Sequence, residues 1–410
     1  MRSNVNHRKF RTTLIPTLFV ALLTSNIAWA GTEKILSVFH SPTGPQQARG
    51  TLVFDKAGNL YGTSAGGGTA GSGTVFEVKH NQNGSWTTEV LYSFTGGSDG
   101  GVPYAGVIFD ATGNLYGTTT AGGSAGVGVV FRLSPPGAGG TTWTQTVLYS
   151  FTGLADGGTP HAGLVFDKSG NLYGTTELGG NAPPLGVVFE LSPPTSGSGD
   201  WTETVIHSFT GHDDGAYPVA GLVLDGSGNL YGTASAGGTL ASGVVFEFMP
   251  PLGGGSEWTE KVLYTFTGGA DGRGPFGGVV FDKLGNLYGT TTSAKLELYG
   301  SAFELSPNSD GTWTETTLRN FDCLEGSPDA GLTVDASGNV YGTSYGAAWL
   351  WGEVFEFSPT AGGFTSSTPW QLGGWGRYLY AGVTLDAAGN LYTVTTTGSN
   401  NYGIVLEVTQ

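Results

Sequence analysis

Short apolar runs alternate with glycine-rich polar breaks along the whole chain, and one unit of this pattern repeats. Its third copy reads most plainly. "AGLVFD", Ala162 to Asp167, predicts a strand, called A. "KSGN" predicts a tight turn, because its glycine reaches positive φ and its Asp and Asn side chains bond turn amides. "NLYGTT", Asn171 to Thr176, predicts strand B, and "GVVFELS", Gly186 to Ser192, strand C. After a Pro-Pro-Gly-Ser loop, "WTETVIHSF", Trp201 to Phe209, predicts strand D. Period-two alternation places Leu164 and Phe166 of A, Val188 of C and Val205 of D between neighbouring sheets.

The segment D-x-x-G-N-[LV]-Y begins at Asp55, Asp110, Asp167, Asp225, Asp282, Asp335 and Asp386, at spacings of 55, 57, 58, 57, 53 and 51 residues. Four short antiparallel strands per unit make a propeller blade. The copies fall near 50–94, 106–151, 163–209, 221–266, 277–321, 331–372 and 382–408. The last copy lacks strand D, and Thr32 to Phe39 matches Thr259 to Phe266 nearly residue for residue. The expectation is an all-β, seven-bladed β-propeller of residues 31–410, with the N-terminal strand completing the last blade and removing an open sheet edge. The Trp opening strand D (Trp86, Trp143, Trp201, Trp258, Trp313) and the Phe closing it (Phe94, Phe151, Phe209, Phe266, Phe321) read as packing residues.

"GNLYGTT…GG…GVVFEL", repeated in this way, resembles the GloVer-type tandem repeat of bacterial secreted proteins. The resemblance covers the chain beyond its first thirty residues. It implies a secreted propeller and no particular activity. Many such proteins carry a C-terminal sorting tail. This sequence stops on its strand C, so tail-mediated anchoring is not expected.

Composition agrees with the pattern. Of 410 residues 73 are glycine, with only 16 Lys and Arg and 32 Asp and Glu, which excludes a helical bundle. Residues 1–30 hold Arg2, Arg8, Lys9 and Arg11 and no acid. An apolar stretch, Leu14 to Leu23, and Ala28-Trp29-Ala30 follow, so we expect a signal peptide cleaved after Ala30 and a secreted or periplasmic protein. The remaining twelve bases against 32 acids leave a charge of −20. That disfavours nucleic acid and tolerates cations and neutral glycans. No membrane span is expected in the processed chain. The lone Cys323 excludes an intrachain disulfide and reads as a small packed side chain.

In a meander, the A–B and C–D loops share one face, and the B–C and D–A loops the other. The second face carries the candidate ligand-binding residues. Four D–A loops read F-T-G-x-x-D-G and place Asp99, Asp156, Asp214 and Asp271 at equivalent positions around a channel mouth. They could bind a cation or sugar hydroxyls, or simply supply turn chemistry. The sixth copy breaks the pattern with Tyr345, Trp349 and Trp351 in its B–C loop. Trp375, Arg377, Tyr378 and Tyr380 follow in the next D–A loop, a set suited to stacking on sugars or anchoring a protein. Arg49 and Arg273 share that face, and His161 is a possible base in a D–A loop.

Two G-x-S-x-G matches, at Gly96 and Gly122, lack the strand-to-helix context of a nucleophile elbow. There is no H-E-x-x-H and no cysteine pair. With no convergent catalytic set and no cofactor or metal expected, the leading expectation is a non-catalytic scaffold for a glycan or protein ligand. A central-channel lyase or hydrolase on carbohydrates or lactones is the first alternative, and a structural envelope or adhesion component the second.

Overall fold

The computed structural model describes residues 32–195, 197, 199–251, 257–293, 299–323, 325–346, 352–371, 376–398 and 402–409. The signal peptide expected over residues 1–30 lies outside them. Among the described residues no helix is long and apolar enough to cross a membrane.

Seven antiparallel sheets surround one axis. In blade three, strand A is Val165–Phe166, B Leu172–Thr176, C Val187–Ser192 and D Thr202–Ser208, hydrogen-bonded in that order. The expected A strand shortens to two laddered residues because its upstream half faces the crowded axis. There a Cβ on Gly50 would lie 2.2 Å from the Gly106 nitrogen, so only glycine fits. The Gly of L-Y-G-T is required for a related reason: a Cβ on Gly174 would lie 2.7 Å from the Phe189 ring.

Blade seven closes the ring. Its strands are Thr384–Leu385, Leu391–Val394 and Ile404–Thr409, and Thr32–Val38 supplies its outermost strand. Thr32 pairs with Thr409, Ile35 with Leu406 and Val38 with Ile404. The register slips at Leu36, as it does at Leu148, Ile206 and Leu263 of other D strands. The N-terminal segment is therefore a true D strand, bulge included.

Adjacent blades clasp a recurring aromatic core. Phe151 meets Phe189 of the next blade edge-on at 5.2 Å, Phe94 meets Phe131 at 5.1 Å, and across the closure Phe39 meets Phe76 at 5.3 Å. These phenylalanines are buried. The strand-opening tryptophans are half-buried, with Trp143, Trp201 and Trp258 against Tyr61, Tyr116 and Tyr173. Threonine hydroxyls stitch neighbouring blades near the axis: Thr118 donates to the carbonyl of Ala162 at 2.7 Å, and Thr175 to that of Ala220 at 3.0 Å. Cys323 is exposed, contrary to expectation, in a D–A loop that departs from the F-T-G-x-x-D-G pattern of the earlier copies.

Each D-x-x-G-N-x-Y turn is self-contained. Asp167 accepts the amides of Ser169 and Asn171, both at 2.8 Å, and also the Asn171 side chain and the Tyr173 hydroxyl. The closure yields a test. Leu36 is 7% exposed and Ile35 36%. Leu36→Ala should cost about 2–4 kcal/mol in chemical denaturation, and Ile35→Ala within about 0.5 kcal/mol of none. Equal effects would contradict the pairing.

Candidate functional site

Six of the seven D–A loops end in the same device. Gln47, Val102, Thr159, Tyr217 and Tyr378 take φ of 55°, 57°, 55°, 55° and 62°, and Gly274 takes 66°. For β-branched Val102 and Thr159 this left-handed conformation costs roughly 1–3 kcal/mol each, and it persists only where the surroundings impose it. Pro103, Pro160, Pro218, Pro275 and Pro328 come next in five loops and fix φ. The chain then turns inward and delivers one side chain to the channel mouth. Seven equivalent positions form this ring: Arg49, Tyr104, His161, Val219, Phe276, Asp329 and Tyr380. All seven line one central cavity of about 660 Å³, together with the A strands below. Bridges from Gly101 to Ala121 and from Gly158 to Leu178 tie the D–A loops to the ends of the B strands, so both loop sets lie on this face.

A second circle stands beside the first, one residue past strand B. Its ordinary occupant is a hydroxyl bonded to a loop carbonyl: Thr120 to Val102 at 3.0 Å, Ser235 to Tyr217 at 2.9 Å, Thr292 to Gly274 at 3.1 Å. Three blades depart from it, the first simply with Ala65 in place of the hydroxyl. Glu177 places Oε2 3.0 Å from His161 Nε2, and this bond holds the Glu177 carboxyl below its ordinary value. Tyr345 instead stacks on Tyr380, centroids 5.6 Å apart and planes 13° apart, with Tyr378 on the same ring at 6.4 Å.

The Arg49 guanidinium sits between two rings, 4.4 Å from the centroid of Tyr380 and 5.1 Å from that of Tyr104. Tyr104 in turn lies 4.9 Å from the His161 ring. Burial pushes the Asp329 carboxyl up to about 6, against the Ser327 hydrogen bond and the Arg49 charge, which pull it down. Geometry agrees. Ser327 Oγ lies 2.6 Å from Asp329 Oδ1 and 2.9 Å from the Thr292 carbonyl, and one hydroxyl proton cannot serve both acceptors. The hydroxyl donates to either acceptor with Asp329 ionised, and protonation of Asp329 adds a proton that lets both contacts be hydrogen bonds.

The four repeat aspartates do not converge and do not line the cavity. Each caps its own loop. Asp156 accepts the Thr152 amide at 2.8 Å, the Thr152 hydroxyl at 2.5 Å and the Tyr149 hydroxyl at 3.1 Å. Asp99 and Asp271 do the same with Thr95 and Tyr92, and with Thr267 and Tyr264. Asp214 uses Thr210 and His207. The motif repeats because the turn needs it. Of the aromatic set, Tyr345, Tyr378 and Tyr380 meet at the mouth, while Trp349, Trp351 and Trp375 lie outside the described residues. Arg377 has backbone in a short strand, Gly376–Arg377, paired with Thr397–Gly398. The ring itself is legible in hindsight, as a variable position before [Ala/Gly]-Gly in six copies and before Gly50-Thr51 in the first.

One further cluster lies outside the mouth. His207, Asp214 and Glu260 bring ligand-type atoms within 4.8 Å of one another, with Nε2 of His207 3.1 Å from Asp214 and 3.8 Å from Glu260. Three such donors could receive a divalent cation. His207 also makes the hydrogen bond to the loop aspartate that Tyr92, Tyr149 and Tyr264 make in sister blades, which accounts for it structurally.

The family model described as the Gloeobacter/Verrucomicrobia repeat matches residues 24–223 and again 185–406. No curated protein matches the chain. Among solved structures it is similar to the PQQ-bound aldose sugar dehydrogenase of Streptomyces coelicolor, with TM-score 0.51 and 14% identity over 93% of this chain and 98% of that one. A protein of unknown function from Dyadobacter fermentans has TM-score 0.43 at 11% identity, over 92% and 98%. At 14% identity the likeness to the dehydrogenase is one of fold.

Buried carboxyls set the pH response. Burial and Asp156 push Glu203 up to about 7, burial and Asp214 do the same to Glu260, and burial raises Glu353 to about 7. With Asp329 they bind more protons folded than unfolded between pH 4.5 and 7, so stability falls as pH rises through that window. His207, lowered by burial, opposes them as one group against four. Tm should be lower at pH 8 than at pH 5, and a higher value at pH 8 would contradict this assignment.

Proposed function

We propose, from the premise that the chain belongs to the Gloeobacter/Verrucomicrobia repeat family, that it is a secreted binding propeller whose channel mouth takes a small sugar. One observation carries this reading. The copies agree at turns, blade contacts and axis, yet at the mouth seven equivalent positions hold Arg49, Tyr104, His161, Val219, Phe276, Asp329 and Tyr380. A scaffold needs no such diversity, whereas a ligand with different groups around its rim does. The cavity of about 660 Å³ falls within the roughly 300–1,000 Å³ common for small-molecule sites. Aromatic faces beside polar groups suit a sugar's apolar faces and hydroxyl edges. Phe276, 48% exposed, offers one such face to an incoming ring.

The expected test is a panel of mono- and disaccharides titrated into the processed protein. Tyr104→Ala and Phe276→Ala should each weaken the best ligand about tenfold. Lys168→Ala, in an A–B turn on the opposite face, should leave binding unchanged. Equal affinity in all four proteins would refute the site.

A catalytic role has a specific observation of its own. His161, oriented by Glu177, and Asp329, whose carboxyl is raised to about 6 by burial, line the same cavity in the places of a base and an acid. The binding reading expects no turnover of lactones or uronide disaccharides. Turnover abolished by His161→Asn or Asp329→Asn would establish the enzyme instead.

A further inference from the structure

We infer that the ligand of the channel mouth carries a carboxylate, received by Arg49, which makes its class a uronic acid or another acidic sugar. This rests on the reading that the mouth binds a sugar, and narrows it.

The argument begins from what Arg49 lacks. Its Nε is buried without a hydrogen-bond partner. Among the described residues the guanidinium donates no hydrogen bond, and its contacts are the two tyrosine faces. No carboxylate of the described residues forms an ion pair with it. The other charged groups of the mouth are already engaged: Glu177 with His161, and Asp329 with Ser327. Arg319 shows how this fold treats a half-buried arginine with only a structural task. Its Cζ also lies over a ring, 4.7 Å from the centroid of Phe321, yet it is held by Glu325 and, at 2.9 Å, by Glu353. Arg49 keeps the ring contacts but has no carboxylate of the described residues at ion-pair distance, Asp329 acting on it only through its charge.

A partly desolvated cation with unused donors is costly until an anion arrives. The two rings orient the planar fork and lower the entropy lost when a ligand binds. A guanidinium fork matches a carboxylate bidentately, with two parallel N–H···O bonds. Charge argues for a single carboxylate over a phosphate or a polyanion. Among the described residues Arg49 is the one Lys or Arg lining the cavity, and the whole chain carries −16, so a dianion finds half its charge unmatched and a polyanion is repelled.

Calorimetry on the processed protein tests this with D-glucuronate, D-galacturonate, their methyl esters, D-glucose, D-galactose and inorganic phosphate. At least one uronate should bind ten- to a hundredfold tighter than its ester and parent sugar. Arg49→Gln should erase that preference, while Lys168→Ala on the opposite face should retain it. Arg49→Lys, which keeps the charge and loses the fork, should lose at least fivefold for the uronate. Near-ultraviolet circular dichroism checks that both variants fold. Equal binding of acid, ester and parent sugar overturns the carboxylate assignment and leaves the sugar site standing. Phosphate binding as tightly as the uronates overturns the single-carboxylate class. Failure of every sugar to bind overturns both readings.

Discussion

The structure depends on one ladder, between Thr32–Val38 and Ile404–Thr409, where the start of the described chain pairs with its end. Seven wedge-shaped sheets around an axis leave two faces to be matched, and these belong to the first and last blades. Thr384 of blade seven donates to the carbonyl of Leu52 in blade one at 2.5 Å, and Phe39 packs on Phe76 as sister phenylalanines do elsewhere. The closing interface repeats the contacts of the other blade interfaces. Without it, two apolar sheet faces and an unpaired edge would meet water.

Closure fixes the channel, and the channel crowds the axis. Glycine and alanine stand there because neighbouring A strands leave no room for side chains. Larger groups can enter the axis only at the mouth, where the left-handed residue and the proline release the chain from the ring of backbones. Uniformity and diversity thus divide by position. Positions answering to the repeat geometry are alike in every blade, and positions facing the open mouth are free to differ.

That division sets the chemistry. Among the described residues the mouth of this acidic chain carries one arginine, set between tyrosines, with a histidine–glutamate pair and a carboxyl of raised pKa nearby. Burial does the work in each case. It raises Asp329 towards neutrality, and it leaves Arg49 with donors that no described protein group takes up. Both effects arise from removing water at the rim of a cavity whose walls are mostly backbone and small side chains.

The amino-acid pattern alone determined the blade, the count of seven, the closure by Thr32 to Phe39 and the phenylalanine core. These follow from local alternation, turn chemistry and a repeated period, all of which are written along the chain. It misdirected attention to Asp99, Asp156, Asp214 and Asp271, since repetition of a carboxylate looks like a site when it is a turn. Only the tertiary structure decided which side chains meet. Arg49 and Tyr380 lie 331 positions apart and touch because the ring closes between them, while His161 finds Glu177 because a loop bridges to the end of its own B strand. Such meetings depend on where blades stand around an axis, and no local signal along a chain encodes an angle around a ring.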